Sequence, residues 1–198
     1  MHTAPSAAPV EITSSTTVRI FDTSATIEHR TDHEEHDRRR RQGLGHVDSM
    51  ELLDVLMGLP AWTAVPLSSM SKPALRVLRR APEGIVRFTP SSVTRLAAQP
   101  VAPILAIVYS PRWEEGLERA SRFAAYCPRM LVVRKPPANA DEALAEASWY
   151  GIGVAVGSRS ARTTVLEPEP LADWQPTVAW WRFCERVYRH VLQSRTHP

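Results

Sequence analysis

The chain has 198 residues, 43% of them hydrophobic, and a formal net charge of +3. That length suffices for one domain with a real core, or for a small domain and a tail. No apolar run approaches the ~20 residues of a membrane span, and "MHTAPSAAPVEITSS" lacks the basic start and apolar block of a secretory signal. The expectation is a cytoplasmic protein with no membrane partner.

Charge is uneven along the chain. Residues 1–69 carry 6 Arg against 10 acids, whereas residues 70–198 carry 16 Arg and 2 Lys against 11 acids. The pI near 9.2 therefore belongs to the C-terminal two-thirds. Arginine suits bidentate contact with phosphate, so a nucleic-acid surface is permitted. A GC-rich bacterial coding sequence also favours Arg, Ala and Pro over Lys, and charge alone does not separate the two readings.

In chain order, residues 1–16 are rich in Ala, Pro, Ser and Thr and read as disordered. "TVRIFDTSATIEH" alternates well enough for a short strand or hairpin. "RTDHEEHDRRRRQGLG" has no apolar face and reads as a solvated linker, or at most a solvent-exposed helical turn. Residues 1–47 are accordingly expected to be a disordered or weakly structured charged segment, with one α/β domain over 48–198.

Within that domain, residues 48–84 read as helical. In "DSMELLDVLMGL", Asp48 and Glu51 have capping-box spacing, and Leu52, Val55, Leu56 and Leu59 share a face. "AWTAVPL" is a short extended piece. "SMSKPALRVLRRAPEG" is a second helix, capped by Ser71 with Pro73 in its first turn; Leu75 and Leu78 point inward and Arg76, Arg79 and Arg80 outward. "GIVRFTP", with Arg87, and "VTRLA", with Arg95, read as a strand pair or wing. Helix, helix and wing in this order are compatible with a winged helix–turn–helix.

Residues 85–170 hold the sheet. Ile104 to Tyr109 is a continuous apolar run, as in a strand buried on both faces. Trp113, Leu117, Ala120, Ala124 and Cys127 form a helical stripe, and "MLVVRK" returns as a parallel strand after a right-handed crossover. "NADEALAEASWYG" is a further helix, followed by strands "IGVAV" and "RTTVLEP". Residues 171–198 close the chain with the amphipathic helix "PTVAWWRFCERVYRHVLQ". The fold class is mixed α/β, with a small sheet of four or five strands, a parallel strand–helix–strand crossover and flanking helices.

Chemistry-bearing motifs are scarce. There is no G-x-x-x-x-G-K, no Rossmann glycine fingerprint and no G-x-S-x-G elbow. His29, His33 and His36 are spaced i, i+4, i+7, but the stretch has no apolar support to fix metal ligands. Cys127 and Cys184 lack metal-like spacing and read as buried thiols. No metal, cofactor or small-molecule substrate is expected.

The order of buried strand, "RWEEGLERASRFAAY" helix, returning strand, further helix and "WYGIGVAV" resembles the C-terminal half of the PD-(D/E)XK, or restriction-endonuclease-like, superfamily. The resemblance covers roughly residues 85–170 and implies that fold. It also implies a Glu/Asp-x-Lys signature on the strand and an acid on a preceding strand, which together hold a divalent metal. Carried over, the signature positions fall near Ile107 and Tyr109, and the upstream acid is sought in residues 85–100, which contain no Asp or Glu. The resemblance therefore implies a degenerate, non-catalytic member.

The reading is a regulatory protein binding DNA through Arg76, Arg79, Arg80, Arg87 and Arg95. The alternative is an adaptor or homodimer using Trp180, Trp181 and Tyr188 as its interface. A third possibility is a nuclease using Glu114, Glu115 and Glu118.

Overall fold

The computed structural model describes residues 13–171 and 174–194. β1 (Ser14–Ile20) and β2 (Thr23–Thr31) form a hairpin whose buried residues alternate with exposed ones, as a half-buried strand requires. Its two turn residues, Phe21 and Asp22, both have positive φ, 55° and 53°, the backbone of a twist-matched two-residue turn. An aromatic residue seldom adopts this conformation. Here the Phe21 ring stacks on Tyr126 at 5.1 Å and on Phe183 at 6.2 Å, which holds it in place.

α1 (His33–Arg41) starts on an Asp32 side chain that accepts from the Glu35 amide at 2.9 Å. α2 (Met50–Met57) buries Leu52, Leu53 and Leu56. β3 (Ala64–Pro66) is followed by a 3-10 turn over Leu67–Ser69 and by α3 (Lys72–Arg79). β4 (Val86–Phe88) and β5 (Ser92–Arg95) complete a three-stranded antiparallel sheet in the order β3-β5-β4.

β6 (Val101–Tyr109) enters the main sheet beside β2, antiparallel to it. α4 (Trp113–Ser121) returns the chain to β7 (Arg129–Val133), parallel to β6. α5 (Ala140–Trp149) leads to β8 (Ile152–Gly157), parallel again, and β9 (Arg162–Leu166) turns back antiparallel. α6 (Val178–Ser194) closes the described chain. The main sheet is thus six-stranded and mixed, ordered β1-β2-β6-β7-β8-β9.

Strand parity divides the interior. Ile27, Ala106, Val108, Leu131 and Val154 join the main core with residues of α2, α4 and α6. Ile107, Met130, Val132 and Ala155 form a smaller cluster on the opposite face, with Leu105 and Tyr109 against it. Cys127 and Cys184 are buried and free; burial pushes the Cys127 thiol up to about 12, so it stays neutral. No described helix is long and apolar enough to cross a membrane.

The N-terminal third corrects the expectation that residues 1–47 are disordered or weakly structured, and the hairpin read in "TVRIFDTSATIEH" is present as β1 and β2. Residues 14–31 supply two of the six strands, and residues 33–41 form a helix that is buried by charge rather than by oil. Arg39 is fully buried, and its Nη1 and Nη2 each donate to Glu185 on α6 at 2.8 Å. Its Nε donates to Glu35 at 2.6 Å, and its remaining donors reach the carbonyls of Gly45 and Ala98. Glu185 also accepts from the Val47 amide at 2.9 Å and from Trp181 Nε1 at 3.1 Å. Burial alone would lower the Arg39 pKa; the hydrogen bonds and charges of Glu185, then Glu35, outweigh it and raise it. Of residues 1–16, expected to be disordered, 14–16 open β1 and 1–12 lie outside the described residues.

Smaller corrections follow from the same packing. The α2 cap is Ser49, whose hydroxyl accepts from the Leu52 amide, while Asp48 pairs with Arg182 at 2.8 Å. The α4 stripe stops at Ser121, so Phe123 is buried where Ala124 was expected.

Two outcomes are expected. Glu185→Ala strands a buried guanidinium and two N–H donors, so urea unfolding should register a loss of about 3–5 kcal/mol; an unchanged midpoint would refute the central role given to the ion pair. Burial holds the His29 pKa below its usual 6.5, with Nε2 3.0 Å from Thr16 Oγ1 and Nδ1 unpartnered. The unfolded chain therefore binds a proton that the folded one resists, and stability should be present above pH 6.5 and fall as pH drops below it. His29→Gln should flatten that fall in urea midpoints measured on either side of pH 6.5.

Candidate nucleic-acid interface

α3 begins where the Ser71 hydroxyl accepts from the Ala74 amide at 3.3 Å, with Pro73 in the first turn, where a missing N–H is harmless. Leu78 anchors the helix in the core together with Ile85 and Val93. Lys72, Arg76, Arg79 and Arg80 are exposed, and their i, i+4, i+7 and i+8 spacing places them on one side of the helix. The β4–β5 hairpin follows, turned by Thr89, whose hydroxyl accepts from the Ser92 amide at 3.0 Å. Arg87 is exposed on β4 beside Phe88.

Arg76, Arg79, Arg80 and Arg87 make no ion pair or side-chain hydrogen bond with any described residue. The contrast with neighbouring arginines is sharp. Arg38 is held by Glu35 at 2.7 Å and by the Gly84 carbonyl at 2.7 Å. Arg182 is held by Asp48, whose pKa is lowered mainly by that hydrogen bond against a smaller opposing effect of burial. A shallow depression between the start of α2 and α3, lined by Glu51, Arg76 and Arg80 among others, brings one carboxylate to this surface.

Arg95 does not belong with them. Its Nη1 donates to the Leu56 carbonyl at 2.8 Å, its guanidinium lies 5.1 Å from the Trp181 ring centroid, and burial lowers its pKa. It ties the small sheet to α2 and α6, and is a structural residue. Trp180, Trp181 and Tyr188 are likewise corrected from interface to interior, with exposures of 9%, 0% and 1%. α6 lies against α2, β1 and β6, so its aromatic stripe is consumed by the chain's own core. Tyr188 Oη lies 3.0 Å from His36 Nδ1, and Trp180 packs edge-on against Trp174 at 4.7 Å.

The remaining candidates separate in space. His29 is on β2 and His33 and His36 on α1, so the three share no helix face. Among the described residues no three His, Cys, Asp or Glu side chains are grouped to hold a metal ion. Glu115 pairs with Arg112 and Arg119, and Glu118 with Arg122 at 2.7 Å, the ordinary ion pairs of a solvated helix face. The strand beside β6 is β2 and not residues 85–100, so the neighbouring acid is Glu28, paired in register with Leu105. Its carboxylate is taken by Arg162 at 3.3 Å.

Compared with protein-family models, curated proteins and solved structures, the chain matches none of them.

Arg95→Ala should lower the thermal midpoint, because it removes a charge-assisted hydrogen bond and a ring contact. The same variant should leave the salt dependence of any DNA binding unchanged; a flatter salt slope would return Arg95 to the contact surface.

Proposed function

We propose that the chain is a non-catalytic, cytoplasmic, bacterial regulatory protein that binds DNA. Residues 50–95 act as a winged helix–turn–helix in which α3 enters the major groove and the β4–β5 hairpin serves as the wing. The first helix of the usual pair is reduced to the Leu67–Ser69 turn. The observation that carries this reading is the conjunction of two facts. The small sheet has the order β3-β5-β4 around a helix that precedes the hairpin. The four exposed arginines of that helix and hairpin are unpaired among the described residues.

The six-stranded sheet is the scaffold, and we read it as a degenerate PD-(D/E)XK-like domain. An antiparallel β1-β2-β6 run followed by a parallel β6–α4–β7 crossover supports that reading. At the family's signature positions, Ile107 and Tyr109 offer no carboxylate or amine, and Glu28 is neutralised by Arg162. Binding is then charge-driven, with phosphates displacing water and counterions from the arginines of α3.

An adaptor role has one observation in its favour: Trp149 and Tyr150, at the end of α5, are 86% and 52% exposed. Pull-down from native lysate separates the two, because DNA-bridged partners vanish on nuclease treatment and directly docked ones persist.

The direct test is anisotropy of labelled duplex DNA across a salt series. Affinity should fall steeply as salt rises, and Arg76→Ala/Arg79→Ala should flatten the log–log slope by about two, at ~0.9 per lost phosphate contact. Absence of binding at about 50 mM salt, or binding indifferent to salt, overturns the proposal.

A further inference from the structure

The carboxyl ends of β7 and β8, remote in sequence from α3, bring a second group of cations together. β7 ends at Val133, which pairs with Val156 of β8, and Arg134 and Lys135 follow directly. β8 ends at Gly157, opposite Arg162, and the intervening turn is closed by the Ser158 amide donating to the Ala161 carbonyl at 2.7 Å. From this turn the Arg159 side chain reaches toward β6, its guanidinium 4.4 Å from the centroid of the Tyr109 ring. Tyr109 is itself held: Arg162 Nη1 donates to its hydroxyl at 3.3 Å, and Arg162 Nη2 donates to Glu28.

Three points distinguish this group from an ordinary solvated face. Neither 133–140 nor 157–166 contains an Asp or Glu, the next acids in the chain being Asp141 and Glu167, and Glu28 on β2 is already engaged by Arg162. Arg134, Lys135 and Arg159 are exposed and have no ion pair with any described residue, whereas the surface arginines of α4 each sit one helical turn from a glutamate. The Arg159 guanidinium also lies over an aromatic face, which leaves the edge of its planar fork of donors open to an oxyanion. Three like charges gathered from two strand ends repel one another, and a polyanion relieves that repulsion. The carboxyl edge of parallel strands is where open α/β sheets take their ligands.

We propose that Arg134, Lys135 and Arg159 form a second phosphate-binding surface that grips the backbone of the same nucleic acid held by α3. The inference rests on the DNA-binding reading, and it adds a sequence-independent contact from the sheet domain. A guanidinium stacked on tyrosine and two flexible cations supply charge and reach without reading base edges, so this surface should strengthen binding equally for every sequence.

The test compares wild type, Arg134→Ala/Lys135→Ala/Arg159→Ala, and Arg76→Ala/Arg79→Ala by duplex anisotropy over a salt series, with calorimetric titration of inorganic pyrophosphate as a separate arm. All three substituted side chains are exposed, so melting curves should match wild type. The triple variant is expected to flatten the salt slope by about two to three while keeping residual binding. A triple variant that titrates like wild type, while the α3 variant is weakened, overturns the second surface and leaves the DNA reading standing. Loss of all DNA binding in wild type overturns both. Pyrophosphate binding lost in the triple variant, with its DNA titration unchanged, assigns the cations to a small anion instead and also overturns the inference.

Discussion

The fold is organised around the ion pair between Arg39 and Glu185, two charges with no exposed side-chain surface. Withdrawing them from water is costly, and their attraction compensates only when every donor and acceptor is used. Here the accounting closes. All five guanidinium N–H groups have acceptors, and the Glu185 carboxylate receives Arg39, Trp181 and the Val47 amide. An ion pair satisfied in this way fixes relative positions, because no shifted arrangement of the same helices would satisfy as many groups. It pins α1, the approach to α2, the link between β5 and β6, and α6 at a single point.

That point is also where the small sheet meets the large one. Arg38 reaches the Gly84 carbonyl just before β4, and Gly84 has φ +85°, a conformation that favours glycine. Arg95 reaches back from β5 to the Leu56 carbonyl near the end of α2, the electronegative end of that helix. Arginine thus serves as a mortar between the two sheets, each guanidinium ending on a backbone carbonyl of a neighbouring element. The helix presenting Arg76 and Arg79 is therefore carried on a rigid frame rather than on a tether.

Which parts were legible in the sequence follows from what drives each part to fold. β6, α4, β7, β8, α3 and α6 are built by apolar periodicity, and their positions can be read from spacing. α1 hides because its buried side is Glu35, His36 and Arg39, so a search for an apolar stripe finds none. The signals present were the Asp32 cap and the i, i+4 spacing of Glu35 and Arg39. The place of β1 and β2 in the main sheet is a non-local fact. About seventy residues separate β2 from its partner β6, with the small sheet lying between them in the chain. Arg95 reads with the basic surface and Trp181 with an aromatic interface in the sequence, yet in the fold the Arg95 guanidinium lies over the Trp181 ring.

The same pairings explain how a chain with an acidic first third and a basic remainder distributes its charge. Acids from the N-terminal third are spent on arginines far along the sequence: Glu28 on Arg162 and Asp48 on Arg182. Glu35 is held within its own helix by Arg38 and Arg39. The glutamates of α4 neutralise their own helix. Arginines without an ion pair to any described residue include Arg76, Arg79, Arg80 and Arg87 on α3 and β4, with Glu51 and Glu83 nearby, Arg134 and Arg159 with Lys135 at the carboxyl ends of β7 and β8, and the exposed Arg19 and Arg40. A composition bias toward arginine would raise the count everywhere. Such a bias accounts for scattered exposed arginines such as Arg19 and Arg40; the grouping of Arg76, Arg79 and Arg80 on one side of α3, rather than the pI, is what supports the proposed polyanionic ligand.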